Sequence, residues 1–446
     1  MRRRERIVVV GAGVAGLRAA ERLRELGFTG DLLIVGAEPY RPYHRPAVSK
    51  QILTDAWKPA DATLPTYRAL DAHWRLGTTV MRLDTSRRQL HLPSEERLGY
   101  DGLVIATGLA AKRLPGAPRH HPRIHQLRTL RDALTLRAGL AEDKGPVVVI
   151  GTSFTGSEVA CSLRALHRTV TILGRSGTLL AKALGKELGA RLTRLHHDNG
   201  VRLVLGVGIA HWGLKADAAA IYLSNGQILL ASHVVIAAGS VPCVGWLQGS
   251  GLVVDDGVLC EPTCHAVGAQ DVVAAGDVAR WPNLRFDEQP RRIEHWLNAV
   301  EMGRAAAESL LAGRAAAQPF TALPRFWTDQ HGVRVQAVGM PELDARYARR
   351  LPAAADSGIA QYLRAGRLVG VAALDRPGAI VELTRRLERE LRPLASARPD
   401  PGATGTRLPV APPKPVSREY PQRTAGEQGW QTIADGFRSG SVSPRS

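Results

Sequence analysis

The chain has 446 residues, 44% of them hydrophobic, more than one hydrophobic core organises, so two or three globular domains are expected. Its formal charge of +18, from 59 Lys and Arg against 41 Asp and Glu, favours acidic partners, but no basic-aromatic module or nucleic-acid motif accompanies it, which sets nucleic acid aside. No apolar stretch approaches the roughly 20 residues that span a bilayer, and Met1 to Arg6 runs into the first strand without an apolar leader, so a cytoplasmic protein with no membrane insertion is expected.

The first predicted strand, Ile7 to Val10, ends in Gly11-Ala12-Gly13-Val14-Ala15-Gly16, and a helix follows over Leu17 to Leu26 with Ala19, Ala20, Leu23 and Leu26 at helical spacing. A buried strand, a tight glycine turn and a helix N-terminus together let backbone N–H groups approach a pyrophosphate. A second strand, Asp31 to Gly36, leads to Glu38, placed to accept from ribose hydroxyls; a solvated loop carboxylate is the plainer alternative. Tyr40 to Ile52 holds no cysteine, which argues against dithiol chemistry in a chain of this type. A buried run from Leu103 closes the unit at Ala106-Thr107-Gly108.

A second fingerprint, Gly151-Thr152-Ser153-Phe154-Thr155-Gly156, follows the run Val147 to Ile150, about 140 residues after the first, and its unit closes at Ala238-Gly239. Two dinucleotides in one polypeptide suggest flavin chemistry driven by nicotinamide. A third buried run, Asp271 to Ala275, ends in Gly276-Asp277, where small residues let the backbone crowd a ligand and Asp277 can accept from a hydroxyl. Cys161, Cys243, Cys260 and Cys264 form neither a C-x-x-C pair nor a clustered ligand set, so they are expected to be buried small hydrophobes and no metal site is expected.

Several blocks carry a family resemblance: Arg41 to Lys50, Ala106-Thr107-Gly108 with Arg113-Leu114-Pro115, Leu127 to Leu130, Gly276-Asp277, Glu294 to Ala299, and Pro324 to Gln330. The chain resembles the FAD-dependent NAD(P)H:ferredoxin reductases that serve bacterial oxygenases, from Ile7 to about residue 395. The resemblance implies an α/β fold, with two Rossmann-like dinucleotide-binding domains and a small α+β C-terminal domain. The expected arrangement is an FAD domain over 1–110 and 241–320, a NAD(P) domain over 111–240, a C-terminal domain over 321–397, and a Pro/Gly/Ser-rich disordered tail over 398–446.

By the same resemblance, Lys50 lies by the reactive flavin ring, where its charge would stabilise the anionic reduced form; a surface lysine is the alternative. Trp296 packs beside the ring, Glu158 lines the nicotinamide site, and Trp327 joins them as a catalytic candidate. Arg128 and Asp277 would hold the pyrophosphate and ribityl chain, with further FAD contacts at Ala15, Glu38, Arg45 and Val80. Nicotinamide contacts are expected at Gly151, Ser153, Phe154, Thr155, Gly156, Glu158, Arg175, Ala238 and Gly239.

Two departures stand out. Ser153 replaces the glycine that lets backbone approach the pyrophosphate most closely, and Gly174 stands where NADH users carry an acidic residue. Arg175 offers a fork suited to a 2′-phosphate, so NADPH is favoured slightly over NADH, with a solvent-facing arginine as the alternative. The expected reaction is hydride transfer from NAD(P)H to FAD and single-electron transfer to a small acidic iron-sulfur ferredoxin that feeds an oxygenase. The alternatives are an NAD(P)H oxidase or quinone or small-acceptor reductase, and a flavin-bound interaction protein without turnover.

Overall fold

A computed structural model describes residues 5–215, 218–343 and 358–392; the tail expected over 398–446 lies outside the described residues. Helices α1 (Val14–Glu25), α2 (Leu130–Glu142), α3 (Phe154–Ala165), α4 (Ala181–Asp198), α5 (Trp296–Ala312) and α6 (Pro377–Glu390) connect or cover the sheets.

The run Ile7 to Val10 is buried on both faces, as a central parallel strand requires. It lies in a five-stranded sheet ordered Val272–Ala274, Gly102–Ile105, Arg6–Val10, Asp31–Gly36, His73–Leu76, with parallel pairing throughout. α1 and α5 cross so closely that a Cβ at Gly303 would stand 2.4 Å from the Ala15 carbonyl oxygen. Valine and isoleucine fill the strands because two covered faces leave no polar side to alternate with.

The second sheet repeats the plan, in the order Arg202–Leu205, Val170–Gly174, Val147–Ile150, His233–Ile236, Ile124–Gln126. The last strand of the first sheet follows this whole unit in sequence, so the first unit is built from two separate stretches of chain. Leu109–Ala111 and Ser240–Pro242 pair antiparallel where the chain leaves the first unit and returns to it. Both units also carry short antiparallel meanders, Arg82–Asp84 with Gln89–His91 and Arg97–Gly99, and Ile209–Lys215 with Ala218–Leu223 and Ile228–Ala231.

The C-terminal unit is an antiparallel sheet ordered Arg325–Gln330, Val333–Gly339, Arg367–Leu374, Ile359–Arg364. α6 lays Ile380, Leu383 and Leu387 against one side, over Val338, Leu368 and Val371. α4 covers the other with Leu184, Leu188 and Leu192, packed on Val335, Ala337 and Tyr362. The Tyr362 hydroxyl donates to the Leu184 carbonyl at 2.8 Å, which satisfies the one polar atom of a fully buried ring.

Two histidines are buried away from any carboxylate partner. His125 shares a hydrogen bond of 3.0 Å with His233 between ring nitrogens, and His196 Nε2 donates to the Gln330 side-chain oxygen at 3.0 Å. Burial brings both down to about 4. As pH falls through the ordinary histidine value near 6.5, the unfolded chain therefore takes up these protons first. Stability is full above about 6.5 and drains between there and about 4, by up to roughly 3 kcal/mol per histidine. Urea denaturation at pH about 7.5 and about 5 should show this loss, and a His125→Gln variant should lose less across the same interval.

Candidate functional site

A cavity of about 490 Å³ opens at the carboxyl ends of the first sheet's strands and is lined by Gly11, Gly13, Ala15, Glu38, Ala106, Thr107, Gly108, Gly276 and Asp277. Crevices at this end of a parallel sheet are where such folds bind ligands. Gly11 has φ +118°, and a Cβ there would lie 2.1 Å from the Ala106 carbonyl oxygen. Gly16 closes the turn from behind, where a Cβ would meet the Gly11 carbonyl oxygen at 2.0 Å. At Gly13, which caps α1, a Cβ would meet nothing within 4 Å, and neither a capping side chain nor a first-turn acid engages the N–H groups behind it. The start of α1 is thus open to an anion.

Glu38 is held from two sides: Tyr43 Oη donates to its carboxylate at 2.7 Å and Arg45 pairs with it at 2.7 Å. Burial pushes the Tyr43 phenol up, so it stays a donor. Tyr43 also accepts from the Leu130 amide at 3.1 Å, tying the start of α2 to the cavity wall. Sequence reasoning missed Tyr43, which lies two residues from Arg45 in the quoted Arg41 to Lys50 block. Deeper in, Arg128 pairs with Asp277 at 3.1 Å, and burial pushes the Asp277 carboxyl up while Arg128 opposes it. Val80 lines the same wall beside Thr78 and Thr79.

At the far end Lys50 Nζ lies 2.7 Å from the Glu158 carboxylate. Ser49 donates to that carboxylate at 2.7 Å and Thr328 at 2.8 Å. Lys50 and Ser49 come from the first unit, Glu158 from α3, and Thr328 from the C-terminal sheet, so three parts of the chain meet on one carboxylate. Aromatic rings surround the pair. Trp296 packs edge-on against His44 at 4.8 Å, Phe326 meets Phe154 at 4.9 Å and His295 at 4.8 Å, and Trp327 completes the lining. Among the described residues His295 Nδ1 has no hydrogen-bond partner, and burial holds that ring at about 4, neutral at physiological pH. Ser49, Thr328, Phe326 and His295 were not singled out in the sequence, although all lie inside the quoted blocks.

Phe154, Thr155 and Glu158 of the second fingerprint helix line this cavity; Gly151, Ser153, Gly156, Arg175, Ala238 and Gly239 do not. These six lie instead at or beside the turn of the second sheet, which copies the first. Gly151 has φ +136°, and a Cβ there would lie 2.1 Å from the Ala237 carbonyl oxygen. Ser153 caps α3 at φ −83°, ψ 179°, nearly the conformation of Gly13 at φ −93°, ψ −170°. Its hydroxyl donates back to the Ala237 carbonyl at 3.2 Å. The Ser153 backbone therefore needs no glycine, and its difference from Gly13 lies in the side chain alone. Gly174 is buried and Arg175 exposed. A Cβ at Gly174 would stand 2.3 Å from the Thr152 methyl, so Thr152 fills the space an acidic side chain there would need.

The first-unit donor set fits FAD: a fixed carboxylate, an uncapped helix start, an Arg–Asp pair, and an aromatic pocket with one lysine. Residues 5–303 match the pyridine nucleotide-disulphide oxidoreductase family, and residues 325–404 match the reductase C-terminal family. This chain belongs to the pyridine nucleotide-disulphide oxidoreductase family, in its ferredoxin reductase branch. It is an FAD-dependent oxidoreductase, and NAD(H) is the nicotinamide of its relatives. It is 30% identical to the ferredoxin–NAD(+) reductase subunit of a benzene 1,2-dioxygenase system from Pseudomonas putida, covering 86% of this chain and 93% of that one. A p-cumate 2,3-dioxygenase reductase component from the same organism is 33% identical, over 78% and 83%. The structure matches the reductase in a covalent putidaredoxin reductase–putidaredoxin complex with TM-score 0.79 at 29% identity, over 86% of this chain and 93% of that one. This chain has four free cysteines, none of them in the loop over 40–52.

Glu38→Ala should weaken FAD retention about tenfold or more, the size of a lost charged hydrogen bond at roughly 1.5–3 kcal/mol. Flavin fluorescence on serial dilution checks this; an unchanged affinity would remove Glu38 from ribose recognition.

Proposed function

We propose that this chain oxidises NADH at the Lys50–Glu158 end of the cavity and passes the electrons singly to a small acidic iron-sulfur ferredoxin. The observation that carries this reading is that α3, the helix of the nicotinamide fingerprint, sends Phe154, Thr155 and Glu158 into the cavity framed by the flavin fingerprint. Donor and acceptor sites therefore share one wall. Bound FAD would supply the hydride-accepting ring and the conversion from two-electron to one-electron transfer.

The chain's own part is placement and charge. Gly11, Gly13 and the start of α1 hold the pyrophosphate, Glu38 the ribose, and Arg128 with Asp277 the middle of the cofactor. Lys50 keeps a positive charge at the reacting end, where negative charge builds up, and Glu158 fixes the direction of that ammonium. Phe154, Phe326 and Trp296 line the cavity at this end and lower the polarity around that interaction. The domain boundaries that fit this reading are 1–110 with 241–320 for FAD, 111–240 for nicotinamide and 321–397 for the cover. No helix among the described residues is long and apolar enough to cross a membrane, which accords with a cytoplasmic enzyme.

For the donor, the relatives are named for NAD(+), and the slight NADPH preference expected from Arg175 finds no support in those names. NADH as donor with weak discrimination fits the strand end better: it has no carboxylate to repel a 2′-phosphate, and Arg175 is exposed. Because Thr152 occupies the space, Gly174→Glu alone should damage the turn and lower kcat/KM with both nucleotides. Thr152→Gly with Gly174→Glu should instead raise the NADH to NADPH ratio of kcat/KM about tenfold, or ~1.4 kcal/mol. A double variant with an unchanged ratio would remove this strand end from nucleotide choice.

The reading as a whole is tested by anaerobic titration with NADH, followed by addition of an acidic 2Fe-2S ferredoxin. The flavin should bleach on NADH and recover as the ferredoxin is reduced, with a ferredoxin rate that falls as ionic strength rises, because the +18 charge steers the encounter. Bleaching with recovery only on quinone or oxygen would replace the ferredoxin by a small acceptor. No bleaching with NADH, nor with NADPH in a parallel titration, would leave a flavin-binding protein without turnover.

A further inference from the structure

Behind the Lys50–Glu158 pair, three elements bring together side chains that the sequence keeps far apart. α3 carries Cys161 three residues beyond Glu158, and α4 supplies the buried His196. The hairpin between Arg325–Gln330 and Val333–Gly339 presents His331 from its two-residue turn. One ligand atom from each of Cys161, His196 and His331 lies within 4.8 Å of the other two. Cys161 Sγ is 3.9 Å from His196 Nε2, and His331 Nε2 is 3.2 Å from His196 Nδ1. Sulfur and nitrogen donors on one tetrahedral Zn²⁺ stand roughly 3.5 Å apart, given bonds of about 2.3 and 2.0–2.1 Å. His196 meets Cys161 and His331 through opposite ring nitrogens and can give only one of them to a metal. The spacing that counts is therefore the 4.8 Å that encloses one atom from each residue, roughly 1 Å wider than a tetrahedral site, so the rings must turn inward to close it.

A second cavity, of about 520 Å³, is lined by Cys161 and His331 and opens beside them, with Lys50 shared between it and the flavin-site cavity. It supplies a path of entry and room for water. The charges facing the cluster are mixed. Lys50 and Glu158 face Cys161, while Arg164 faces His331 but turns its guanidinium onto the carbonyl oxygens of Asn199 and Arg168. The turn itself is unusual: His331 has φ +48° and Gly332 φ +81°, the pattern in which Asn-Gly is the favoured pair.

We propose that Cys161, His196 and His331 form a site for a soft divalent transition metal, best matched by Zn²⁺, with a fourth position open to water from the side cavity. Binding breaks the Cys161 S–H bond, releases that proton to solvent and forms a metal–thiolate bond, with no change of oxidation state. It also takes His196 Nε2 from Gln330, whose amide donates to Thr328 at 3.4 Å, itself the donor to Glu158. Cysteine spacing alone gives the opposite expectation, no metal site, and this proposal departs from it. Spacing along the chain reports ligands only when they share an element, and these come from three.

The test uses the full chain as FAD holoenzyme, stripped with a chelator and titrated with Co²⁺, whose tetrahedral thiolate complexes absorb in the red, where oxidised flavin is transparent. One equivalent of Co²⁺ should raise those bands, and Zn²⁺ should abolish them. Cys161→Ser and His331→Asn should each weaken binding about tenfold or more. His331→Asn suits the turn and so keeps the hairpin folded. An absence of red bands in the unmodified protein, or unchanged binding in both variants, would overturn the site. The outcome is independent of which electron acceptor the enzyme uses.

Discussion

The carboxylate of Glu158 is the contact on which the functional site depends. A buried ion costs several kcal/mol unless partners replace its water. Glu158 finds those partners in Ser49 and Lys50 from the first unit and in Thr328 from the C-terminal sheet. None of these is near Glu158 in sequence. The carboxylate is satisfied only when both nucleotide units and the cover are docked together, so the electrostatics that serve the reacting end also fix how the three units assemble there.

The same logic explains why the aromatic residues crowd this end. An ion pair screened by bulk water is worth little, whereas Phe154, Phe326, Trp296 and His295 form an apolar wall on the flavin-site side of this one, while Lys50 also borders the open side cavity. His295 takes part in that wall as a neutral ring, since burial keeps it unprotonated at physiological pH. Tyr43 and Arg45 hold Glu38 at the opposite end in a comparable way, so each carboxylate along the cavity is oriented before any ligand arrives.

Much of this was legible in the sequence because it is local. A strand, a glycine turn and a helix sit within about 20 residues, and their period and chirality follow from steric rules that act over that distance. The buried runs at Ile7, Val147 and Asp271, and the two turns, were found on those grounds. What stayed hidden depends on contacts between segments far apart. Ser49 and Thr328 are ordinary polar residues until the fold sets them on Glu158. Cys161, His196 and His331 carry no spacing signal at all. The antiparallel meanders were missed as well, since three-residue strands such as Gln89–His91 are too short to show a period.

The departures of the second fingerprint make physical sense only as a pair, and the first unit shows why. There Ala12 faces Gly36 across the turn, so that a Cβ at Gly36 would stand 2.6 Å from the Ala12 Cβ, and an acid held by Tyr43 and Arg45 comes two residues later, at Glu38. In the second unit Thr152 faces Gly174 in the same way, and the residue two positions later is the exposed Ser176. The side chain after the first glycine and the residue at the end of the next strand compete for one volume. A carboxylate at the strand end demands a glycine in the turn, and a threonine in the turn demands a glycine at the strand end. Judged alone, Thr152 looks like a damaged fingerprint and Gly174 like a lost specificity residue. Together they are one steric choice, which keeps the backbone of the turn and leaves no carboxylate at Gly174.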